Sequence, residues 1–337
     1  MLETGKTFWK DGRFNTVACI SEGSTCYVLG VYQKALAEKY APVLFAIMVA
    51  GFILGGTVSA SLRASAYRKS TLDAALRHAV AGETFVLNYQ PIVDSRTGLF
   101  TAAEALIRWN LPSGLSMSPD VFIAAAEETN LITQISIFVL KRVESELGEF
   151  LRCHREFRIS INITTKDLID ARFNAALEAY IENKGIHSHQ LALELTERRS
   201  ISTRDELSAL KNLLDRGYHV YIDDFGTGYS NFSYLGDLSV DAIKVDRSFT
   251  ASVGTNHLRK KIVGVMISLA HELGMGVIVE GIESIDQMRY FQSLDVWLMQ
   301  GWLFGRALPA NQLIELLSAP WGGFQSSGND LATGSVG

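Results

Sequence analysis

Cysteine, clustered histidine and positive charge are all scarce in this chain. Its 337 residues contain three cysteines, Cys19, Cys26 and Cys153. Their spacings suit no zinc site, which draws on closely spaced Cys and His pairs. The seven histidines do not cluster. His187 and His189 form one His-x-His, which reads as an exposed loop pair rather than a pair of metal ligands. The net charge of −5 gives no general attraction for nucleic acid. DNA and RNA are therefore not expected partners, and a phosphate-bearing ligand has to be held locally. Low-complexity blocks and fixed-period internal repeats are missing as well.

Apolar residues are plentiful. They make up 47% of the chain, enough for a sizeable core and a surplus. The surplus lies at the front. Ala41 to Leu62, "APVLFAIMVAGFILGGTVSASL", runs for 22 residues without a charge. About 20 apolar residues span a bilayer as a helix. A signal peptide would sit nearer the terminus and have a shorter apolar core; a buried core helix is the plainer alternative. Arg63, Arg68, Lys69 and Arg77 follow the run, and only Lys34 and Lys39 closely precede it. The positive-inside rule then places the C-terminal part in the cytoplasm and residues 1–40 outside. That outer compartment permits a disulfide between Cys19 and Cys26. A segment of this length is too short for an ordinary sensor domain. Cys153 falls on the cytoplasmic side and is expected to be a buried or half-buried thiol. Residues 63–80 read as a linker helix, with Leu72, Ala75, Leu76 and Ala79 at helical spacing. Residues 322–337 read as a flexible tail.

Between Thr84 and Arg306 one pattern recurs. A short β-prone run ends in a polar residue, a loop follows, and a helical pattern comes next. The runs are "TAAEALIRW", "FRISINIT", "QLALELTE", "HVYIDDFG", "AIKVDRSF", "GVIVEGIE" and "WLMQGWLFG". "SPDVFIAAAEETNLITQISIFVLKRVESEL" and "LRKKIVGVMISLAHELGM" have amphipathic helical spacing, and Ser118-Pro119-Asp120 is a plausible helix start. Such alternation predicts an α/β fold with a parallel sheet, closed at this length into a (β/α)8 TIM-like barrel. Its active site would lie at the C-terminal ends of the strands.

Side chains alternate along a strand. Glu104 and Arg108 share one face of their run, and Ser160 and Asn162 share another. Glu194, Asp223, Lys244 and Glu280 each oppose apolar neighbours. The polar set then converges on the barrel mouth: Glu104, Asn162, Glu194, Asp223, Asp224 and Glu280, with Lys244 and Gln300. Oxygen ligands without thiols or imidazoles suit a hard cation such as Mg2+ or Mn2+. So many carboxylates exceed what one six-coordinate ion takes, and two ions about 3.5–4 Å apart would account for the adjacent Asp223 and Asp224. Taken singly, an Asp-Asp pair at a strand end is more often a helix cap or a solvated loop. Lys244 read alone is an ion pair, and Glu197 and Asp246 read as loop supports. Convergence of six strand ends is what favours the metal site.

The motifs resemble those of EAL-domain cyclic di-GMP phosphodiesterases. "YQPIVD" (Tyr89–Asp94) and "EALIRW" (Glu104–Trp109) are followed by "ELTE" (Glu194–Glu197) and "DDFGTGYS" (Asp223–Ser230). "IKVD" (Ile243–Asp246), "EGIE" (Glu280–Glu283) and "QGWLFG" (Gln300–Gly305) complete the family's order. The resemblance covers about residues 72–318. It implies a barrel whose first strand is antiparallel to the rest, two Mg2+ or Mn2+ ions, and hydrolysis of cyclic di-GMP to linear pGpG. It implies Glu104, Asn162, Glu194 and Asp223 as ligands of one ion, and Asp223, Asp224 and Glu280 as ligands of the other. Lys244 matches the lysine that contacts the nucleophilic water. Arg108, Gln300 and Gln90 match substrate-side polar residues, and Glu197 matches the glutamate that anchors the loop after the aspartate pair. A homodimer through this domain and attachment to a bacterial inner membrane are also implied. The front end resembles the last stretch of membrane-anchored members with a Cys-Ser-Ser motif, and this chain lacks that motif. Trp302 stands where Tyr is commoner, and "GRALP" departs from the usual ending. No diguanylate cyclase signature is present. A membrane-held receptor that binds cyclic di-GMP without cutting it is the alternative. An enolate-stabilising metal barrel is a weaker one, because no catalytic His is placed for it.

Overall fold

The computed structural model describes residues 5–20, 25–111, 114–196, 201, 203–226, 240–251, 253 and 258–322. Glu197, most of the loop after Asp224, and the tail beyond residue 322 lie outside these. The chain divides into two units, Met1–Thr71 and Leu72–Gly337.

The first unit opens with an antiparallel meander of β1 (Thr7–Lys10), β2 (Arg13–Ile20) and β3 (Thr25–Tyr32). Asp11 and Gly12 both take positive φ, 52° and 73°, between the paired Lys10 and Arg13. Two such residues make the hairpin turn whose twist matches its strands, and Asp-Gly is its sequence signal. In the β2–β3 register Cys19 faces Cys26, and Cys26 is disulfide-bonded. β3 runs into α1 (Gln33–Ala81). The expected linker helix over 63–80 is the continuation of this same helix. Within α1, Glu38–Ser61 is long and apolar enough to cross a membrane, with mean hydropathy 2.2.

The second unit begins with the last turns of α1, whose Leu76 and Ala79 are buried in its core. Eight strands close into a barrel: β4 (Val86–Asp94), β5 (Leu99–Asn110), β7 (Arg158–Ile163), β8 (Leu191–Thr196), β9 (His219–Phe225), β10 (Ala242–Val245), β11 (Gly276–Val279) and β12 (Leu298–Gln300). The two-residue β6 (Ser116–Met117) only extends β5. β4 is antiparallel to both of its neighbours, β5 and β12, and every other neighbouring pair in the barrel is parallel. The helices α2 (Pro119–Glu128), α3 (Ile132–Cys153), α4 (Thr165–Ile169), α5 (Ala171–Tyr180), α6 (Arg204–Asp215), α7 (Arg247–Thr250), α8 (Leu258–Glu272), α9 (Ile285–Gln292) and α10 (Ala310–Leu317) alternate with the strands. The strand faces turned to them, such as Ile159, Ile161, Leu193, Ile222, Ile243, Val245 and Val279, form the main core.

Three details differ from the sequence pattern. The helical run after Ser118 is two helices, because Asn130 turns the chain with φ 57° between α2 and α3. "WLMQGWLFG" keeps only Leu298–Gln300 as strand. Gly301 (φ 159°) packs so tightly on the Ile282 backbone that a β-carbon would collide with its carbonyl oxygen, and this close approach turns the chain away. Cys153 is exposed. It ends α3, beyond the buried stripe that closes with Leu151.

At the N-terminal end of the barrel, Asp241 joins β9 to β10. Its carboxylate accepts from the Val220 amide at 2.8 Å and lies 2.9 Å from His219 Nδ1. Burial alone would raise its pKa, but the bonds from His219 and Val220 hold it below the ordinary value. A depressed carboxylate contributes stability above its unfolded pKa, about 3.9, and loses it as pH falls through the lower folded value. Asp241→Asn should therefore lower the melting temperature at pH 7, with the deficit shrinking below about pH 4. A deficit that stays constant across a pH series of thermal melts would contradict this.

Candidate active site

Inside the barrel the strands stack two layers. Ile92, Ala192, Tyr221, Ala242 and Ile278 pack together as a small apolar cluster, with Ala102 and Leu298 against it. Two residues further toward the mouth, on the same face of each strand, stand Gln90, Glu194, Asp223, Lys244, Glu280, Glu104 and Gln300. An apolar floor thus lies directly beneath a polar layer. Buried side chains layered inside the barrel are what this fold provides; here the upper layer is polar.

Lys244 is its centre. The side chain is wholly buried, and Nζ lies 2.7 Å from Glu280 Oε1, 2.9 Å from Glu194 Oε2 and 3.0 Å from Glu104 Oε2. Asp223 Oδ1 is at 3.5 Å. An ammonium has three protons, so the fourth carboxylate is left over. Asp223 Oδ1 is accordingly buried without a hydrogen bond, and Glu194 Oε1, the second oxygen of a carboxylate the lysine does reach, is buried without one as well. Glu104 is the best satisfied acid. Its Oε1 accepts from Asn162 Nδ2 at 3.1 Å, and its Oε2 accepts from Gln300 Nε2 at 2.8 Å and from Lys244. Gln300 also donates to Gln90 Oε1 at 3.0 Å, and Gln90 donates to the Gly305 carbonyl at 3.3 Å. Gln90 therefore braces Gln300 across the β4–β12 seam.

The electrostatics follow from that geometry. Burial pushes all four acids up, because a charge loses its water. For Glu104 the Lys244 charge and the bonds from Gln300 and Asn162 outweigh it, and its pKa is lowered. For Glu194 burial wins over Lys244, helped by repulsion from Glu104 and Asp223, and its pKa is raised well above the usual range. Asp223 is raised for the same reasons, and Glu280 is pushed up to about 7. Burial would lower the pKa of Lys244, but the surrounding acids hold it far above its ordinary value. One ammonium thus serves four carboxyl groups, and three of the four are held above their ordinary range.

Asp224 reaches the same place by an irregularity. Alternation would send adjacent Asp223 and Asp224 to opposite faces of β9. Between the pairs Ile243–Ile222 and Val245–Phe225, however, β9 carries one residue more than β10. Asp224 takes φ 55° in this bulge. A bulge re-aims a side chain locally, and both aspartates line one cavity of about 490 Å3 with Arg108, Asn162 and Thr196. A second cavity, of about 770 Å3, lies between the start of β4, Arg108 and α10. It is larger but holds none of the acid layer. Arg108 borders both and is half-buried; burial lowers its pKa, against the attraction of Glu104.

The donor set fits a hard divalent cation. It is all oxygen, its carboxyl groups outnumber the one ammonium among them, and two of their buried oxygens have no hydrogen bond. The structure brings together every residue of the predicted set that it describes, and Glu197 lies outside the described residues.

A family model described as the EAL domain matches residues 73–307. The chain belongs to the EAL family. The probable cyclic di-GMP phosphodiesterase PdeB of Escherichia coli K12 is 34% identical over 239 residues, covering 71% of this chain and 46% of PdeB. The cyclic di-GMP phosphodiesterase NbdA of Pseudomonas aeruginosa PAO1 is 34% identical over 263 residues, 77% of this chain and 34% of NbdA. The chain thus spans less than half the length of these curated relatives. Among solved structures, the PaMucR phosphodiesterase in complex with c-di-GMP superposes with a TM-score of 0.67 at 31% identity, covering 72% of this chain and 99% of that one. The EAL enzyme Bd1971, in its cAMP- and cyclic-di-GMP-bound form, gives 0.71 at 28% identity, over 87% and 81%.

Two residues of this EAL domain escaped the sequence pattern. Asp167 is fully buried, and its Oδ2 accepts from the Thr164 amide at 2.8 Å and from the Thr164 and Ser136 hydroxyls at 3.0 Å. It fixes the turn that follows β7. The signal was there in Thr164-x-x-Asp167, a capping-box spacing. Ser160, which alternation puts on the face of Asn162, is buried opposite Glu104 in the β5–β7 register; the convergent set does not include it.

Proposed function

We propose that this chain hydrolyses cyclic di-GMP to linear pGpG in a site for two divalent ions, Mg2+ or Mn2+. The observation that carries the reading is the over-supplied oxygen layer: four carboxylates on one buried lysine, with Asp224 delivered beside Asp223 by a bulge. The relatives named as cyclic di-GMP phosphodiesterases support the substrate.

Glu104, Asn162, Glu194 and Asp223 would hold one ion, and Asp223, Asp224 and Glu280 the other. Bound there, the ions supply phosphate neutralisation and a water acidic enough to ionise near neutral pH. Lys244, held in contact with three of the acids, would donate a hydrogen bond to the attacking water or to a phosphate oxygen, an orienting and electrostatic role. Arg108, at the border of the two cavities, pairs with a substrate phosphate. Gln300, braced by Gln90, holds Glu104 in place.

The domain boundaries support a membrane-held enzyme: a short outer segment over 1–40, a span over 41–62, a linker over 63–80 and a catalytic domain over 72–318. We place that domain on the cytoplasmic side of a bacterial inner membrane. Arg63, Arg68 and Lys69 after the span favour this orientation. So does the disulfide-bonded Cys26 before it, since such bonds persist outside the reducing cytosol. Ile262 and Val265, exposed on one face of α8, suit a homodimer of this domain.

The test is hydrolysis by the detergent-solubilised chain. Cyclic di-GMP with Mg2+ or Mn2+ should give pGpG by chromatography, and chelation or Glu104→Ala should remove the product. Tight binding without product would move the chain to the receptor reading. Product that survives both chelation and Glu104→Ala would remove the metal site.

A further inference from the structure

We propose that Lys244 is the resident cation of the metal-free site: it holds the acid layer together until divalent ions arrive, and it competes with them for the same oxygens. The inference rests on the two-metal reading above and extends it to loading of the site.

One ammonium spans both proposed ligand sets. Of its three nearest partners, Glu194 and Glu104 belong to the first ion's set and Glu280 to the second's. Asp223, common to both sets, is the fourth. All four acids converge on a group that is fully buried above an apolar floor. Among the described residues, Lys244 is the cation that forms ion pairs with Glu104, Glu194 and Glu280. Were it removed, four buried carboxyl groups would face one another without a cation, and the site would meet the cost of desolvating them or of protonating them.

The same contacts oppose loading. Mg2+ draws oxygens to about 2.0–2.1 Å, whereas Lys244 keeps its partners at 2.7–3.0 Å. An oxygen held by the ion is withdrawn from the ammonium, so each incoming ion has to displace ion pairs of Lys244. Asp223 Oδ1 and Glu194 Oε1, which make no hydrogen bond, are the oxygens open to the first contact. Lys244 thereby weakens metal affinity and keeps the empty site folded.

The experiment compares the native chain with K244M in detergent, by thermal melting in chelator and by calorimetric titration with Mn2+. Metal-free K244M should melt roughly 5 °C or more below the native chain. The deficit should disappear at saturating Mn2+, and Mn2+ should bind K244M at least ~10-fold more tightly. The double variant K244M/E194Q guards against a K244M chain that does not fold without metal. Removing one charge of each sign should make the lysine's loss cheaper than in the native background, the coupling a double-mutant cycle reads. Unchanged melting and an unchanged Mn2+ Kd in K244M would overturn the inference and leave the two-metal reading standing. An undiminished cost of K244M in the E194Q background would overturn it as well. No Mn2+ binding by either the native chain or K244M would remove the metal reading and this inference with it.

Discussion

Asp223→Asn should abolish cyclic di-GMP hydrolysis, with turnover falling about 1000-fold or more, while the domain stays folded. A loss of that size is about 4 kcal/mol of barrier. The change is isosteric and removes one charge. Asp223 is the acid that Lys244 cannot satisfy: its Oδ1 lies 3.5 Å from Nζ and makes no hydrogen bond. Stability therefore loses little by the swap. Catalysis loses the only acid proposed to hold both ions. An amide offers one neutral oxygen and cannot bridge two cations as a carboxylate does. Turnover of pGpG, read beside a thermal melt, checks both halves. Near-normal turnover would remove the two-metal model. Loss of turnover with loss of fold would show instead that the charge is structural.

Glu194→Gln should separate function from stability in opposite directions. Turnover should fall to background, because a ligand of the first ion is gone. The metal-free protein should melt roughly 2–4 °C higher, the shift expected for about 1 kcal/mol in a domain of this size. Glu194 is wholly buried, sits among Glu104, Asp223 and Lys244, and has one oxygen without a partner. Burial and two like charges raise its pKa despite Lys244. A carboxylate whose folded pKa is raised costs stability wherever it is ionised in the unfolded chain. Neutralising it removes that cost, as is common for residues kept for activity. Saturating Mn2+ should reverse the order, since only the native chain gains the full binding energy. A lower melting point for Glu194→Gln in chelator would show that its ion pair with Lys244 outweighs its burial.

Both predictions depend on a site that was partly legible beforehand. The polar residue in "LALELT", "AIKV" and "GVIVEG" stands out because its neighbours are apolar, and a closed barrel has one place to put it. Glu194, Lys244 and Glu280 were readable for that reason. Asp167 was not, because a capping aspartate looks the same in sequence whether it faces solvent or a buried turn. Alternation puts Ser160 on the face of Asn162, but nothing in its type told of its burial. The Asp11-Gly12 hairpin was readable in principle, since its two residues are the turn signal itself.

The sequence by itself determined the barrel, its antiparallel first strand through the family's motifs, the convergent acids and the 22-residue apolar run. These are local properties: period, charge and residue type repeat along the chain and need no partner to be seen. Only the tertiary structure decided how the acids share their cation. Glu104 is satisfied and Glu194 is not, because Gln300 and Asn162 arrive beside Glu104 from other strands. The sequence put Asp223 and Asp224 in one set without showing how neighbours on a strand could share a face; the extra residue in β9 brings them into one cavity. Register and burial arise between strands, from how eight of them close, and no stretch of the chain carries them alone.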